Sequence, residues 1–152
     1  MNNSSLYNEY VKRIVDMTVS LLLFIILLPL LIMVAIFIRF DSDGPIIYKA
    51  IRAGYHDIPF KILKFRTMVV NADKIGGNTT ALNDPRITRV GKILRKTKLD
   101  ELPQLINIIK GEMSFVGPRP EVLAYTSKYT EEEKRILSVR PGITDISSLK
   151  YI

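Results

Sequence analysis

Asp100 and Glu101 form a carboxylate pair just ahead of an apolar run, and Pro103 follows them where a missing N–H costs little. The pattern places both at or beside a helix N-terminus, where the helix dipole would keep Asp100 ionised. An ionised carboxylate facing a phosphate can attack phosphorus to give an acyl phosphate while its neighbour binds a metal or manages a proton. At many helix starts such a pair only caps the helix and meets its dipole, so these two residues alone do not decide between the roles. In Gly117-Pro118-Arg119-Pro120, a glycine and two prolines fix the backbone around one arginine. Its guanidinium fork matches phosphate oxygens bidentately, although a rigid turn with a surface arginine has the same pattern. Arg140-Pro141-Gly142 repeats the theme, and Lys64, Arg66 and Arg95 would complete a cationic cluster if the fold gathers them. His56, the single histidine, sits in a loop-like context and is given no role.

The elements that must carry these residues follow from periodicity. Arg86 to Lys98 holds six basic residues and no acid, with Ile87, Val90, Ile93 and Leu94 at helical spacing, and reads as a basic amphipathic helix. Leu102, Leu105, Ile106, Ile108 and Ile109 make a second helical stripe that stops at Gly111. A third helix is expected across Glu121 to Leu137. Ile46–Tyr48 and Pro59–Arg66 read as short strands around the loop at Gly54 to Asp57. Asn71 to Asp84, with Gly76-Gly77-Asn78-Thr79-Thr80, lacks periodicity and reads as a surface connector.

The 152 residues allow one domain and at most one appendage, which excludes repeat arrays and long multidomain enzymes. With no cysteine, disulfide scaffolds, zinc–thiolate sites and cysteine nucleophiles are excluded. A net charge of +7 favours anionic partners such as phospholipid headgroups or phosphorylated substrates. Nucleic acid is disfavoured, because the basic run lacks interleaved aromatics and any reader motif. Met17 to Ile38 carries no charge and reads as a membrane segment reaching about 33 Å as a helix, so length alone permits a straight span. It is too long for a signal peptide and no small-x-small site follows it. Pro29, however, divides the run into two pieces that each suit one leaflet. Lys12 and Arg13 flank one end while the chain beyond Phe40 is net basic, so both flanks look cytoplasmic. A helix that enters, kinks at Pro29 and leaves on the same face satisfies both; a Pro-kinked span stays open on these features alone. The turn Asp41-Ser42-Asp43-Gly44-Pro45 separates a membrane segment over 1–39 from a cytoplasmic domain over 40–152. The expected fold class is α+β, mostly helical: a re-entrant membrane helix kinked at Pro29 and a small interfacial domain of amphipathic helices and short strands.

Six ordered blocks resemble the monotopic phosphoglycosyl transferases, the bacterial sugar transferases that start glycan assembly on a polyprenyl phosphate. They are Lys12–Asp16; Pro59-Phe60 through Lys64–Met68; Asp84–Gly91; Leu99-Asp100-Glu101-Leu102-Pro103-Gln104-Leu105; Gly111 to Pro120; and Arg140-Pro141-Gly142-Ile143-Thr144. The resemblance implies that Asp100 is the nucleophile, that Glu101 is its dyad partner at a Mg²⁺, and that Lys64, Arg95 and Arg119, with Arg66 and Arg140, line the phosphate site. It implies transfer of a sugar-1-phosphate from a UDP-sugar to undecaprenyl phosphate with release of UMP, through a phosphosugar on Asp100. It further implies a re-entrant, monotopic seat on the cytoplasmic face of the bacterial inner membrane, at the start of polysaccharide or glycoconjugate synthesis, with a homodimer left open.

Two departures stand out. Ala50 replaces the glutamine usual in the family's Gln-x-Arg-x-Gly pattern, and after Thr144 the chain reads Asp145-Ile146-Ser147-Ser148-Leu149-Lys150 where members often have Gly, an aromatic, Gln and Val. Members usually run further, so C-terminal truncation is expected. The alternative reading is an inactive, basic, membrane-anchored scaffold of the same fold, which would need the cations but neither carboxylate.

Overall fold

The computed structural model describes residues 10–75 and 84–145, which form helices and short strands. In chain order these are α1 (Lys12–Asp41), β1 (Ile47–Ala53), a 3-10 turn (Tyr55–Asp57), β2 (Pro59–Phe65), α2 (Ala72–Ile75), α3 (Arg89–Thr97) and a second 3-10 turn (Leu99–Glu101). There follow α4 (Gln104–Lys110), β3 (Ser114–Val116), α5 (Leu123–Thr126), a third 3-10 segment (Glu133–Ser138) and β4 (Gly142–Thr144). β1 pairs with β2, and β3 with β4 in parallel with Ser114 opposite Gly142. The chain makes two compact units, one of Met1–Ile26, Lys49–Ile62 and Gln104–Ile152, the other of Leu27–Tyr48 and Leu63–Pro103. Both draw on α1.

α1 is one long apolar helix assigned without interruption through Pro29, with Arg39 in its last turn where a cation meets the C-terminal dipole. Most of its apolar side chains are exposed, as they would be toward lipid.

In the first unit, Asp16 and Ser20, one helical turn apart, are the buried positions of α1. Ser20 Oγ donates to Leu105 O at 3.0 Å. Ser114 Oγ donates to Asp16 Oδ2 at 2.7 Å, while Lys12 Nζ reaches both Asp16, at 2.9 Å, and Ser114. Arg13 donates to the carbonyls of Ile108 and Ile109, and Arg140 Nε to that of Gly111 at 3.0 Å. Two arginines thus take the carbonyls that α4 leaves open at its C-terminus. Gly111 ends the helix with φ +90°, as the sequence suggested.

In the second unit, Leu31, Val34 and Ile38 are the buried face of α1. Beyond them Arg66 donates to Asp43 O at 2.7 Å and to Ser42 O at 2.6 Å, closing the helix end. Asp41 Oδ2 accepts from Val90 N and Thr88 Oγ1 from Gly91 N, both at 3.0 Å, so two first-turn donors of α3 are satisfied by side chains. α3 sits directly on the chain at Thr67, whose carbonyl accepts from Thr88 N at 3.0 Å.

Three expectations change. Arg86 precedes α3 rather than riding on it: its guanidinium is buried against Asp84, with Nη2 to Oδ2 at 2.6 Å, and hydrogen bonds from Arg86 hold the Asp84 carboxyl down to about 2. The helix expected over Glu121–Leu137 is two short pieces, because Thr130 and Glu133 form a reciprocal capping box that starts a new turn. The Asn71–Asp84 connector contains the single turn α2, and its Gly76–Thr80 stretch lies outside the described residues.

Gly91 marks the closest approach, since a Cβ there would lie 2.1 Å from the Thr67 carbonyl oxygen, and backbone cannot step aside as a side chain can. Gly91→Ala should therefore cost at least about 2 kcal/mol. Lys92→Ala, on the exposed face one residue on, should stay within about 0.5 kcal/mol. Urea unfolding of both variants in the same detergent checks this; equal midpoints would mean that α3 does not rest on Thr67.

Candidate active site around Asp100

The chain leaves α3 through Lys98, whose φ of 60° and ψ of 13° are left-handed, a conformation that a side chain disfavours and that helix ends usually give to glycine. This bend turns the backbone into the 3-10 turn carrying Asp100 and Glu101. Asp100 is buried, and among the described residues its Oδ1 has no hydrogen-bond partner. Glu101 is half-buried and accepts from Lys64 Nζ, on β2, at 2.7 Å. Arg95 is aimed by its Nε–H, which donates to Thr67 Oγ1 at 2.9 Å.

Burial pushes the Asp100 carboxyl above the usual carboxylate range, and the neighbouring charge of Glu101 adds to that. Lys64 and, more weakly, Arg95 oppose it. The helix dipole expected to favour the ionised form of Asp100 is outweighed by burial, which acts in the opposite direction. Asp100 lies in a one-turn 3-10 segment four residues before α4 begins, and desolvation outweighs what that turn supplies. Chemically, this is a carboxylate with one open oxygen, beside a cation pinned by a second carboxylate and another cation pinned by a hydroxyl. Hard carboxylate oxygens suit Mg²⁺, which is commonly held by one or two carboxylates together with substrate phosphates. The open Asp100 Oδ1 and Glu101 fit that donor set, and among the described residues no larger cluster of metal-binding side chains exists.

The second unit thus brings together Lys64, Arg95, Asp100 and Glu101. Arg66 belongs to the same unit, but its terminal nitrogens are given to the end of α1. Arg119 and Arg140 belong to the first unit, where their two motifs clasp each other. Gly117 N donates to Thr144 O at 3.1 Å and Gly142 N to Pro118 O at 2.9 Å. A Cβ on Gly117 would lie 2.3 Å from Arg140 O, so glycine is required for the contact. Arg119 is exposed at a cavity of about 520 Å³, whereas Arg140 spans from Gly111 O to the face of the Tyr55 ring, 4.9 Å away. Sequence reasoning missed Thr67, which orients Arg95, and Lys98, which turns the chain. Thr67 lay within a recognised block without a role; Lys98 gave no signal, since glycine is the residue that would have announced a left-handed bend.

A family model described as bacterial sugar transferase matches residues 7–152. The UDP-glucose:undecaprenyl-phosphate glucose-1-phosphate transferase of Escherichia coli (strain K12) is 40% identical over 141 residues, covering 90% of this chain and 30% of that protein. The UDP-N-acetylgalactosamine-undecaprenyl-phosphate N-acetylgalactosaminephosphotransferase of Aeromonas hydrophila is 36% identical over 138 residues, 89% of this chain and 33% of that one. The exopolysaccharide production protein ExoY of Sinorhizobium fredii (strain NBRC 101917 / NGR234) is 41% identical over 150 residues, 89% and 66% respectively. The chain therefore spans about a third of the first two relatives and about two thirds of the third.

The raised carboxyl of Asp100 predicts a stability signature with a definite sign. A native carboxyl that holds its proton more tightly than the unfolded one, near 3.9, costs nothing while both are protonated; its cost develops as pH rises through that value toward the native one. Asp100→Asn removes the titration, so its stability relative to wild type should improve between about pH 4 and neutrality. Unfolding midpoints of the two proteins across that range measure the difference, and a difference independent of pH would show that Asp100 is not desolvated.

Proposed function

The chain belongs to the bacterial sugar transferase family, and from that premise we propose that it moves a sugar-1-phosphate from a UDP-sugar to undecaprenyl phosphate, an opening membrane step of bacterial polysaccharide or glycoconjugate synthesis. The observation that carries the reading is the open, buried Oδ1 of Asp100 beside Lys64 and Arg95. In the first half-reaction an Asp100 oxygen attacks the phosphorus that bears the sugar; a P–O bond to Asp100 forms, the pyrophosphate P–O bond breaks, and UMP leaves. In the second, a phosphate oxygen of the lipid attacks the same phosphorus and Asp100 departs as carboxylate. Lys64 and Arg95 offset the negative charge gathering at phosphorus, and Glu101 keeps Lys64 in place. Asp100 and Glu101 would hold Mg²⁺, which when bound would neutralise charge on a diphosphate. A scaffold would need only the cations, and a carboxylate buried at a cost with one oxygen unpartnered does not serve it.

The same premise favours a re-entrant seat on the cytoplasmic face of the inner membrane. The support for this is the basic residues Lys12 and Arg13 ahead of the apolar run and the net basic chain beyond Phe40, which suit one and the same face. Among the described residues α1 is the single helix long and apolar enough to cross. A straight span would send one basic flank across, whereas a helix entering and leaving on one face keeps both, with Pro29 as the natural point of bending.

Two expectations follow. Purified protein with undecaprenyl phosphate, Mg²⁺ and UDP-glucose or UDP-N-acetylgalactosamine should release UMP. Asp100→Asn should lose at least about a thousandfold in rate, as nucleophile removal does, and should take up no sugar-phosphate label when lipid is omitted. Label on neither protein would replace the covalent route with direct transfer, and label on both would move the nucleophile to another residue. For topology, single cysteines at the exposed positions Tyr10 and Lys128 should react in intact cells with a membrane-permeant thiol reagent alone. Reaction of the Tyr10→Cys thiol with an impermeant reagent would show that α1 spans.

A further inference from the structure

A cavity of about 280 Å³ lies wholly within the first unit, against the start of α1, and needs nothing from the second. Its charged lining is Lys12, Arg13, Asp16 and Arg140. Asp16 is already answered: Lys12 Nζ pairs with its Oδ2 at 2.9 Å, and Ser114 Oγ donates to the same oxygen at 2.7 Å. Arg13 and Arg140 have no such counter-charge. Arg13 gives its terminal nitrogens to the carbonyls of Ile108 and Ile109. Arg140 gives Nε to the carbonyl of Gly111 and lies 4.9 Å from the centre of the Tyr55 ring. Carbonyls and a ring hold both guanidiniums in place and cancel neither charge. Among the described residues neither makes an ion pair, and the terminal nitrogens of Arg140 donate to no protein group. Two like charges beside one helix end repel, and Arg140 acts on Arg13 in that sense.

Two fixed cations without a counter-ion call for an anion, and a planar fork suits phosphate oxygens. Size and place narrow its source. The volume falls below the about 300–1,000 Å³ of sites that enclose drug-sized ligands, so it suits a headgroup rather than a nucleotide sugar. Lys12 to Asp16 directly precede the uncharged run from Met17, which sets the cavity at headgroup depth whether that run spans or turns back. Val116 and Val139 in the lining are exposed, as are Ile14 and Val15 on α1. Such an apolar border serves an acyl glycerol, whereas a soluble anion has no use for it.

We propose that this cavity seats the phosphate of an anionic phospholipid between Arg13 and Arg140. The proposal stands apart from the transferase reading, and its test uses binding alone. Titration calorimetry of the full chain in a non-ionic detergent takes dihexanoyl phosphatidylglycerol, dihexanoyl phosphatidylcholine, inorganic phosphate and UDP as probes. Phosphatidylglycerol should saturate one site. Phosphatidylcholine, whose choline brings a cation toward two arginines, should bind at least about tenfold more weakly. Arg140→Gln removes a charge, and Ser138→Asp adds an anion from an exposed position of the lining whose hydroxyl donates to Arg135 O. Each should weaken phosphatidylglycerol about tenfold or more. Ser138→Asp leaves the end of α4 untouched, so the comparison survives if Arg140→Gln lowers the unfolding midpoint.

Inorganic phosphate binding as tightly as the lipid, with the same response to both variants, would give the seat a soluble occupant and overturn the lipid assignment. Equal affinity for phosphatidylcholine, indifference to both variants, or no saturable binding of phosphatidylglycerol would overturn the anion seat itself. UDP that displaces phosphatidylglycerol would assign the cavity to the nucleotide and overturn the proposal as well.

Discussion

Much of the second unit is explained by the need to keep the Asp100 carboxyl out of water without fully pairing it. A buried carboxylate can be made comfortable by several donors, but one so satisfied has no free lone pair for a substrate. Here the compensation comes from charge nearby rather than from bonds to the reacting oxygen. Lys64 is spent on Glu101 and Arg95 on Thr67, so both cations lower the cost of an anion at Asp100 while leaving Oδ1 open. Each supporting residue then needs its own fixed frame. Arg95 can only be aimed if α3 rests on the backbone at Thr67, which in turn demands glycine at 91 and caps from Thr88 and Asp41. The left-handed Lys98 belongs to the same account, being a strained bend that the surrounding helix end holds in place.

The first unit meets a different constraint. A helix whose surface is nearly all apolar has no polar means of fixing its rotation, and lipid would accept any face. Asp16 and Ser20, one turn apart, supply the missing register through Ser114 and the Leu105 carbonyl. Lys12 balances Asp16, and Arg13 adds a fork over the last carbonyls of α4. Such buried polar contacts contribute little net stability, yet leaving any one of them unmade would be costly, so they select one rotation over the rest.

Sequence periodicity located the apolar helix, the two strands about Tyr55–Asp57, the core of α3 and the end of α4 at Gly111, because each rests on local pattern or on one punctuating residue. The sequence set Asp100 and Glu101 side by side, and the family resemblance, not spacing, joined Lys64 and Arg95 to them. It failed where the deciding partner was distant or the signal had two meanings. Arg86 fitted a helical charge run, but Asp84, two residues away, takes it into a buried pair instead. Thr130 and Glu133 lay inside what read as one helix, although the same residues spell a helix start. The upward pull on the Asp100 carboxyl was not foreseen because burial is a property of the packed chain, and no local residue declares it.

The arginines show why net charge is a poor guide to substrate binding even when its sign is right. Arg86 neutralises Asp84, Arg66 closes the end of α1, and Arg13 and Arg140 close the end of α4. These four hold backbone or a buried acid, tasks for which a planar fork with fixed donors suits carbonyl and carboxylate oxygens better than a lysine would. Arg89, Lys92 and Lys96 stand exposed along α3, where their charge is available to an anionic surface. Among the described residues, Lys64 and Arg95 are the cations both near Asp100 and immobilised by a second contact. What distinguishes a phosphate-reading cation from the rest is therefore that its partner fixes its position without neutralising the charge it offers, a condition set by the fold and invisible to a count of basic residues.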